Sequence, residues 1–426
     1  MNTKTKAPII FILLLLVLLL GAFLYIHFNV YTAYKYATYN DFKHFYLGAK
    51  LLIHRINPYD GKIFHEYKQY EGFTSINPFV YLPFTGLVLS PLTLFSFKTA
   101  YSIWFVLNHI LLFVSLYLIF KTFSLRLNLI NLSIAIWLTG YSSVIYRTLT
   151  SGQVNIFLLF LITLIWFLYN RDRKRLCGFF IAFASLFKLF PLILIIYFAI
   201  KKEWRIVAYS ILWIIILMII SIAIVGFEIH LDFIPVLKSM GYGKSTFAEY
   251  GATFYVDHAN QSINALLNRL FAENPHTKPL IDLGETANYL TYFFSGLLLL
   301  FSITIALKRT LQNKAPDELE YSAFVILGLL IPSLCWDHYL VIAYFPIFAI
   351  VKYISELENS MLQIFISVPL IICAILMNIF FNFWNPLFTK GLWILLMSIK
   401  LYGLVFLFLL TFTLMSTKSI KYNKFD

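Results

Sequence analysis

Charge is what this chain has least of. Of its 426 residues only 12% are Asp, Glu, Lys or Arg, while 60% are hydrophobic; soluble domains carry about 25% charged and roughly 45 to 50% apolar residues. With a mean hydropathy of +0.80, that shortage excludes a soluble domain and implies an integral membrane protein. Cysteine is scarce as well. Cys177, Cys335 and Cys373 fall in or beside apolar stretches without repeated spacing, which excludes a disulfide framework or a cysteine metal site. Acidic residues are outnumbered, 20 against 33 Lys and Arg. The resulting charge of +13 lies mostly in short loops, so it reports membrane orientation, and no nucleic-acid partner is expected. Also missing are a P-loop, a GxGxxG opening a strand-helix unit, HExxH and GxSxG. No Asp-x-Asp occurs either. A nucleotide-sugar site with manganese therefore has no support, and neither a metal ligand nor a cofactor is expected.

What the chain has instead is long apolar runs. Strong ones lie near residues 8–26, 100–120, 129–147, 154–169, 206–227, 287–307, 321–335, 338–352, 361–381 and 391–414. Many approach the roughly 20 residues needed to cross a bilayer. The first follows basic residues like a signal sequence, but it is long and no A-x-A site follows, so we read it as a retained helix. Two further segments are odd. Residues 80–96 hold Pro83, Gly86 and Pro91 in a length barely able to span, and residues 177–200 carry Lys188 and Pro191 at their middle. The basic clusters Arg171 to Arg175 and Lys201 to Arg205 flank the second. The positive-inside rule puts both clusters in the cytoplasm. Two half-helices that enter and leave on one side satisfy this, provided that the break is buried in protein. For residues 80–96, a full crossing and a dip back both stay open.

The same threading places Lys308 to Lys314, Lys352, the N-terminus and the C-terminal tail STKSIKYNKFD in the cytoplasm. Four segments then lie outside: a first loop over about 27–79, the Thr150 to Asn155 turn, a second loop over about 228–286, and the joint at Trp336 to His338. The second loop holds four Lys and Arg against seven Asp and Glu, as suits a non-cytoplasmic segment. The expected fold is an all-α polytopic membrane protein of about 10–12 membrane segments, some broken or re-entrant, with short interfacial helices in the outer loops.

Polar residues gather at those outer joints. In the first loop Phe42, Phe45, Tyr46, Ala49, Leu52 and Ile53 recur at helical spacing, which predicts an amphipathic interfacial helix. Asn40 can cap it, and Asn57-Pro58 stops it. Asp41 sits in its first turn, where a carboxylate opposes the helix dipole whatever else it does. Further on, "YRTLTSGQVNIF" sets Arg147, Gln153 and Asn155 at a membrane boundary, as helix caps or as donors to sugar hydroxyls and phosphate oxygens. "DHANQSINALLNRLF" puts Asn260 and Gln261 ahead of a second amphipathic helix. "IPSLCWDHYLVIAYFP" interrupts two apolar runs with Trp336, Asp337 and His338, and a titratable group between spans is a functional candidate. Lys188 either faces a site at the break or snorkels to the interface.

In this order, the pieces "DFKHFYLGAKLLIHRINPYD", "FVYLPF", "SGQVN", "KLFPLILIIYFAIKKEWR", "NQSINALLNRL" and "SLCWDHYLVIAYFP" resemble glycosyltransferase family 87, whose members have the GT-C class helical fold. The resemblance runs from about Asp41 to Pro346. It implies a single transmembrane domain over residues 1–426 that moves one hexose, as the family's mannosyltransferases do, from a polyprenyl-phosphate sugar. The partners implied are that lipid donor, a lipid-linked or envelope glycan acceptor, and membrane lipids. Inverting chemistry at the non-cytoplasmic face of the plasma membrane follows. By the resemblance Asp41 is the general base, and His338 binds the departing phosphate. The family motif often carries paired histidines where Asp337 precedes His338 here, which makes Asp337 a rival base. Lys188, Arg147, Gln153, Asn260 and Gln261 are further candidates for phosphate or sugar. The competing reading is a flippase or transporter for lipid-linked oligosaccharide, since broken helices favour transport.

Overall fold

A computed structural model describes residues 3–246, 248 and 252–422 of the chain, so residues 1–2 and 423–426 at the predicted cytoplasmic ends lie outside the described residues. The fold is 75% helical, without strands among the described residues. Among the described residues seven helices are long and apolar enough to cross a membrane, and Leu129–Gly140 with Ser143–Ser151 forms an apolar pair bent by 51°. This is an all-α polytopic membrane protein.

Burial sorts these helices into two shells. Few residues of Trp204–Val225 and Ser360–Asn378 are buried, although both are strongly apolar; a surface of that kind is suited to lipid. Asp337–Ser355 is 83% buried, and every residue of Glu318–Leu330 is buried. These two, with Asn155–Tyr169, form the centre around which the lipid-facing helices stand.

The basic loops meet on one side. Lys201 Nζ donates to the Lys314 carbonyl at 2.9 Å and lies 3.1 Å from Glu320 Oε2. Arg309 pairs with Asp317, Lys352 Nζ is 2.7 Å from Glu318 Oε1, and Lys174 Nζ is 2.9 Å from Glu203 Oε2. The last pair closes the mouth of the segment predicted to re-enter. Lys174–Phe187 runs inward from this side, Leu189 and Pro191 break the helix, and Ile193–Ile200 returns. The break leaves the carbonyls of Leu186 and Phe187 without helical partners, and the Thr85 hydroxyl donates to that of Phe187 at 2.9 Å. That bond satisfies a backbone group that lipid would leave bare.

Thr85 belongs to the other odd segment, which packs against this hairpin. Its helix spans Pro83–Leu89 and tightens over Ser90–Leu94. Both flanks are tied to the first loop: Tyr59 Oη donates to the Tyr81 carbonyl and Tyr46 Oη to that of Phe95. The first loop thus holds the segment at both ends.

Two expectations change. The first helix does not end near residue 26 but continues as an apolar span through Lys35, over a π-helical stretch at Tyr25–Thr32. The polar residue that suggested an exit, Asn29, is buried and donates to the Thr139 and Gly140 carbonyls at 2.9 and 3.0 Å. Nor does Asn40 cap the interfacial helix. That helix spans Asn40–Ile53, and its N-cap residue is Tyr39, at φ 56°. The left-handed turn lets the amides of Thr38 and Tyr39 both donate to the Thr150 carbonyl at 3.0 Å.

Candidate active site

The four segments predicted to share a face meet there, opposite the basic loops. Thr150, which receives the two amides of the first loop, precedes Gly152 at φ +71°. There the chain makes a left-handed helix end, with Gly152 N donating to the Leu149 carbonyl at 3.0 Å and Gln153 N to that of Thr148 at 2.8 Å. A side chain at this position would collide with Phe42, so glycine permits both the turn and the close approach of the Asn40–Ile53 helix. The second loop pairs with the Trp336 joint through an antiparallel bridge between Asn260 and Trp336 and a 3.0 Å bond from Asp337 N to the Ala259 carbonyl.

Between these segments lies a cavity of about 590 Å³. Asp41, Arg147, Gln153, Lys188 and His338 all line it. Asp41 is partly exposed and accepts a bond from Asn77 Nδ2 at 3.3 Å. Lys188 faces inward and does not snorkel: its ammonium donates to Asn155 Oδ1 at 3.1 Å and sits 3.3 Å from the centre of the Tyr339 ring. Asn155 therefore anchors a cation where a helix cap was an open reading. The Asp41 carboxylate is near enough to act electrostatically on both Lys188 and His338. Gln153 Nε2 reaches the Tyr81 hydroxyl at 3.5 Å. On the lipid-ward side, Leu186, Phe187, Phe190, Phe233, Leu237 and Leu329 make the lining apolar.

Asp337 is fully buried behind this wall and does not line the cavity. Its Oδ2 lies 3.1 Å from Arg147 Nη1 and 3.2 Å from Lys400 Nζ, while its Oδ1 is 3.4 Å from His338 Nδ1. Two cations share one carboxylate, and Arg147, 27% exposed at its side chain, carries the surplus positive charge to the cavity wall. Asn260 and Gln261 are also buried away from the cavity. Asn260 Nδ2 donates to the Ser333 carbonyl at 3.2 Å and its Oδ1 accepts from Cys335 N at 3.1 Å. Gln261 Nε2 donates to the Met397 carbonyl at 2.7 Å, and its Oε1 accepts from the amides of Lys400 and Leu401 at 3.2 and 3.3 Å. It thus caps Ile399–Tyr422 from another part of the chain.

Arg269 completes this support. It is fully buried and donates to the carbonyls of Val256, Asp257 and Asn260. Burial pushes its pKa down to about 10, against the opposing charge of Asp257, and it stays protonated at neutral pH. Its fork holds the loop that presents Asp257 and Ala259 to the cavity.

Some of the site was not singled out in the sequence. Lys400 stands inside an apolar run, a placement that itself marks a functional candidate. His44, one turn after Asp41 on the same helix face, lines the cavity, as do Tyr81, Tyr339 and Trp384. The guanidinium of Arg147 lies 5.6 Å from the Trp384 ring centre.

No curated protein and no solved structure matches the chain. A family model does, that of glycosyltransferase family 87, over residues 79–336. The matched segment holds Arg147, Gln153, Lys188, Asn260 and Gln261; Asp41 precedes it, and Asp337 and His338 follow directly. More than half of the sequence is covered, and the covered part builds most of the cavity wall: the chain belongs to glycosyltransferase family 87.

Proposed function

We propose that this glycosyltransferase moves a single hexose, with mannose the first to test, from a polyprenyl-phosphate donor to a lipid-linked or envelope glycan at the non-cytoplasmic face of the plasma membrane. One observation carries the reading: a carboxylate, Asp41, faces the same cavity as two cations, Arg147 and Lys188, and an imidazole, His338. Displacement at an anomeric carbon needs a base on the side of attack and positive charge on the side of departure. The apolar part of the wall suits a prenyl chain.

In this reading the acceptor hydroxyl gives its proton to the Asp41 carboxylate. Its oxygen bonds to the anomeric carbon from the face opposite the phosphate, so configuration inverts. The carbon–oxygen bond to phosphate breaks, and the electron pair leaves with the polyprenyl phosphate. Arg147 and Lys188 hold the charge that develops there, and His338 adds a hydrogen-bond donor beside them. Asp337 takes no proton; already engaged by Arg147 and Lys400, it orients the guanidinium.

The test is transfer of radiolabelled mannose from polyprenyl-phosphate mannose by purified protein. Asp41→Asn is expected to lower kcat by roughly a hundred- to ten-thousandfold while the protein stays folded, because Asp41 is partly exposed and makes one long hydrogen bond. Near wild-type turnover would remove it as the base. Translocation of a lipid-linked sugar into liposomes without any transfer would overturn the reading in favour of a transporter.

A further inference from the structure

His44 is the cavity group that the mechanism above leaves unused. It is 3% exposed, lines the cavity and stacks on Tyr81 with ring centres 5.7 Å apart and planes at 18°. Neither ring nitrogen makes a well-formed hydrogen bond; the Asn40 carbonyl is near enough to act on the ring. A buried imidazole so weakly partnered is costly, and such a group calls for a further hydrogen-bond partner.

Position identifies the partner. His44 follows Asp41 by one turn and lies deeper, and it is close enough to feel the charges of both Asp41 and Lys188. The unit between base and leaving phosphate in a glycosyl transfer is the transferred sugar ring itself. Charge agrees with position. Burial pushes the imidazole down to about 4, outweighing the Asp41 carboxylate and the Asn40 carbonyl that favour protonation. It is neutral at physiological pH, with one N–H to donate and one lone pair to accept. That complement suits a hydroxyl, which both donates and accepts, better than a phosphate, which asks for donors alone.

We infer that His44 binds a hydroxyl of the transferred hexose and so takes part in selecting the sugar. The inference rests on the polyprenyl-phosphate donor reading. Its test is a cycle between side chain and hydroxyl, using polyprenyl-phosphate mannose and its 2-, 3-, 4- and 6-deoxy analogues. In the wild type, the analogue that lacks the bound hydroxyl should lose roughly ten- to a hundredfold in kcat/KM. His44→Ala should lose a similar factor with the parent donor and show no further loss with that one analogue. His44→Gln, which keeps a donor and an acceptor, should restore part of the discrimination. If His44→Ala does not fold, His44→Phe, which keeps a ring against Tyr81, serves the same comparison. A variant that loses the same factor with every donor, or loses nothing, overturns the inference alone. A wild type that transfers no sugar from the parent donor overturns the donor reading and this inference with it.

Discussion

At the scale of single residues, the Asp337 carboxylate separates two cations that would otherwise repel across a dry wall. Asp337→Asn removes that separation and leaves Arg147 and Lys400 uncompensated. Breaking a buried pair of this kind costs about 3–5 kcal/mol, so the variant should unfold at clearly lower temperature in detergent. A catalytic base would behave differently, with turnover lost and the melting curve unchanged. Lys188 and His338 stood out in the sequence because each interrupts apolar surroundings, whereas Asp41 reads as an ordinary first-turn carboxylate until the family resemblance singles it out. His44 was hidden by the helix that carries it: the pattern set out the apolar stripe, and the face beside it looked like ordinary surface. Lys400 was visible on the same ground as Lys188, but it has no neighbouring proline or flanking basic clusters to mark a break.

At the scale of elements, the joint between the second loop and Ile399–Tyr422 is made by one amide. Gln261→Leu leaves the Met397 carbonyl and the Lys400 and Leu401 amides without it, at a cost of about 1–3 kcal/mol. The expected outcome is a lower thermal midpoint with the donor KM nearly unchanged; a large rise in KM at unchanged stability would make Gln261 a substrate contact instead. The sequence placed Asn260 and Gln261 at the correct joint and could not say which way the amides turned, because that depends on carbonyls near residues 333 and 397. The hairpin over 174–203 was legible from basic residues on both flanks. The 51° bend between Gly140 and Ser143 was not, since no charge or proline marks it.

At the scale of the whole molecule, charge sorts the loops onto two faces. The three cysteines are buried, so new ones can be labelled against a quiet background. Lys62→Cys and Gln312→Cys both replace exposed residues on opposite faces. With the predicted orientation, a membrane-impermeant maleimide added to intact cells should label the first and spare the second until the membrane is opened. The reverse pattern would turn the cavity toward the cytoplasm.

The short hairpin that carries Lys188 has a consequence for how the protein is made. Neither of its arms, 14 and 8 residues long, can rest alone in lipid with its tip carbonyls bare. The longer arm packs against Asn155–Tyr169 and Trp204–Val225 and has Thr85 at its tip, but the shorter arm packs against Glu318–Leu330, which leaves the ribosome more than a hundred residues later. The proposed phosphate-binding cation, Lys188, therefore gains its complete surroundings only after Glu318–Leu330 is made, and a chain stalled before that point lacks part of the cavity wall.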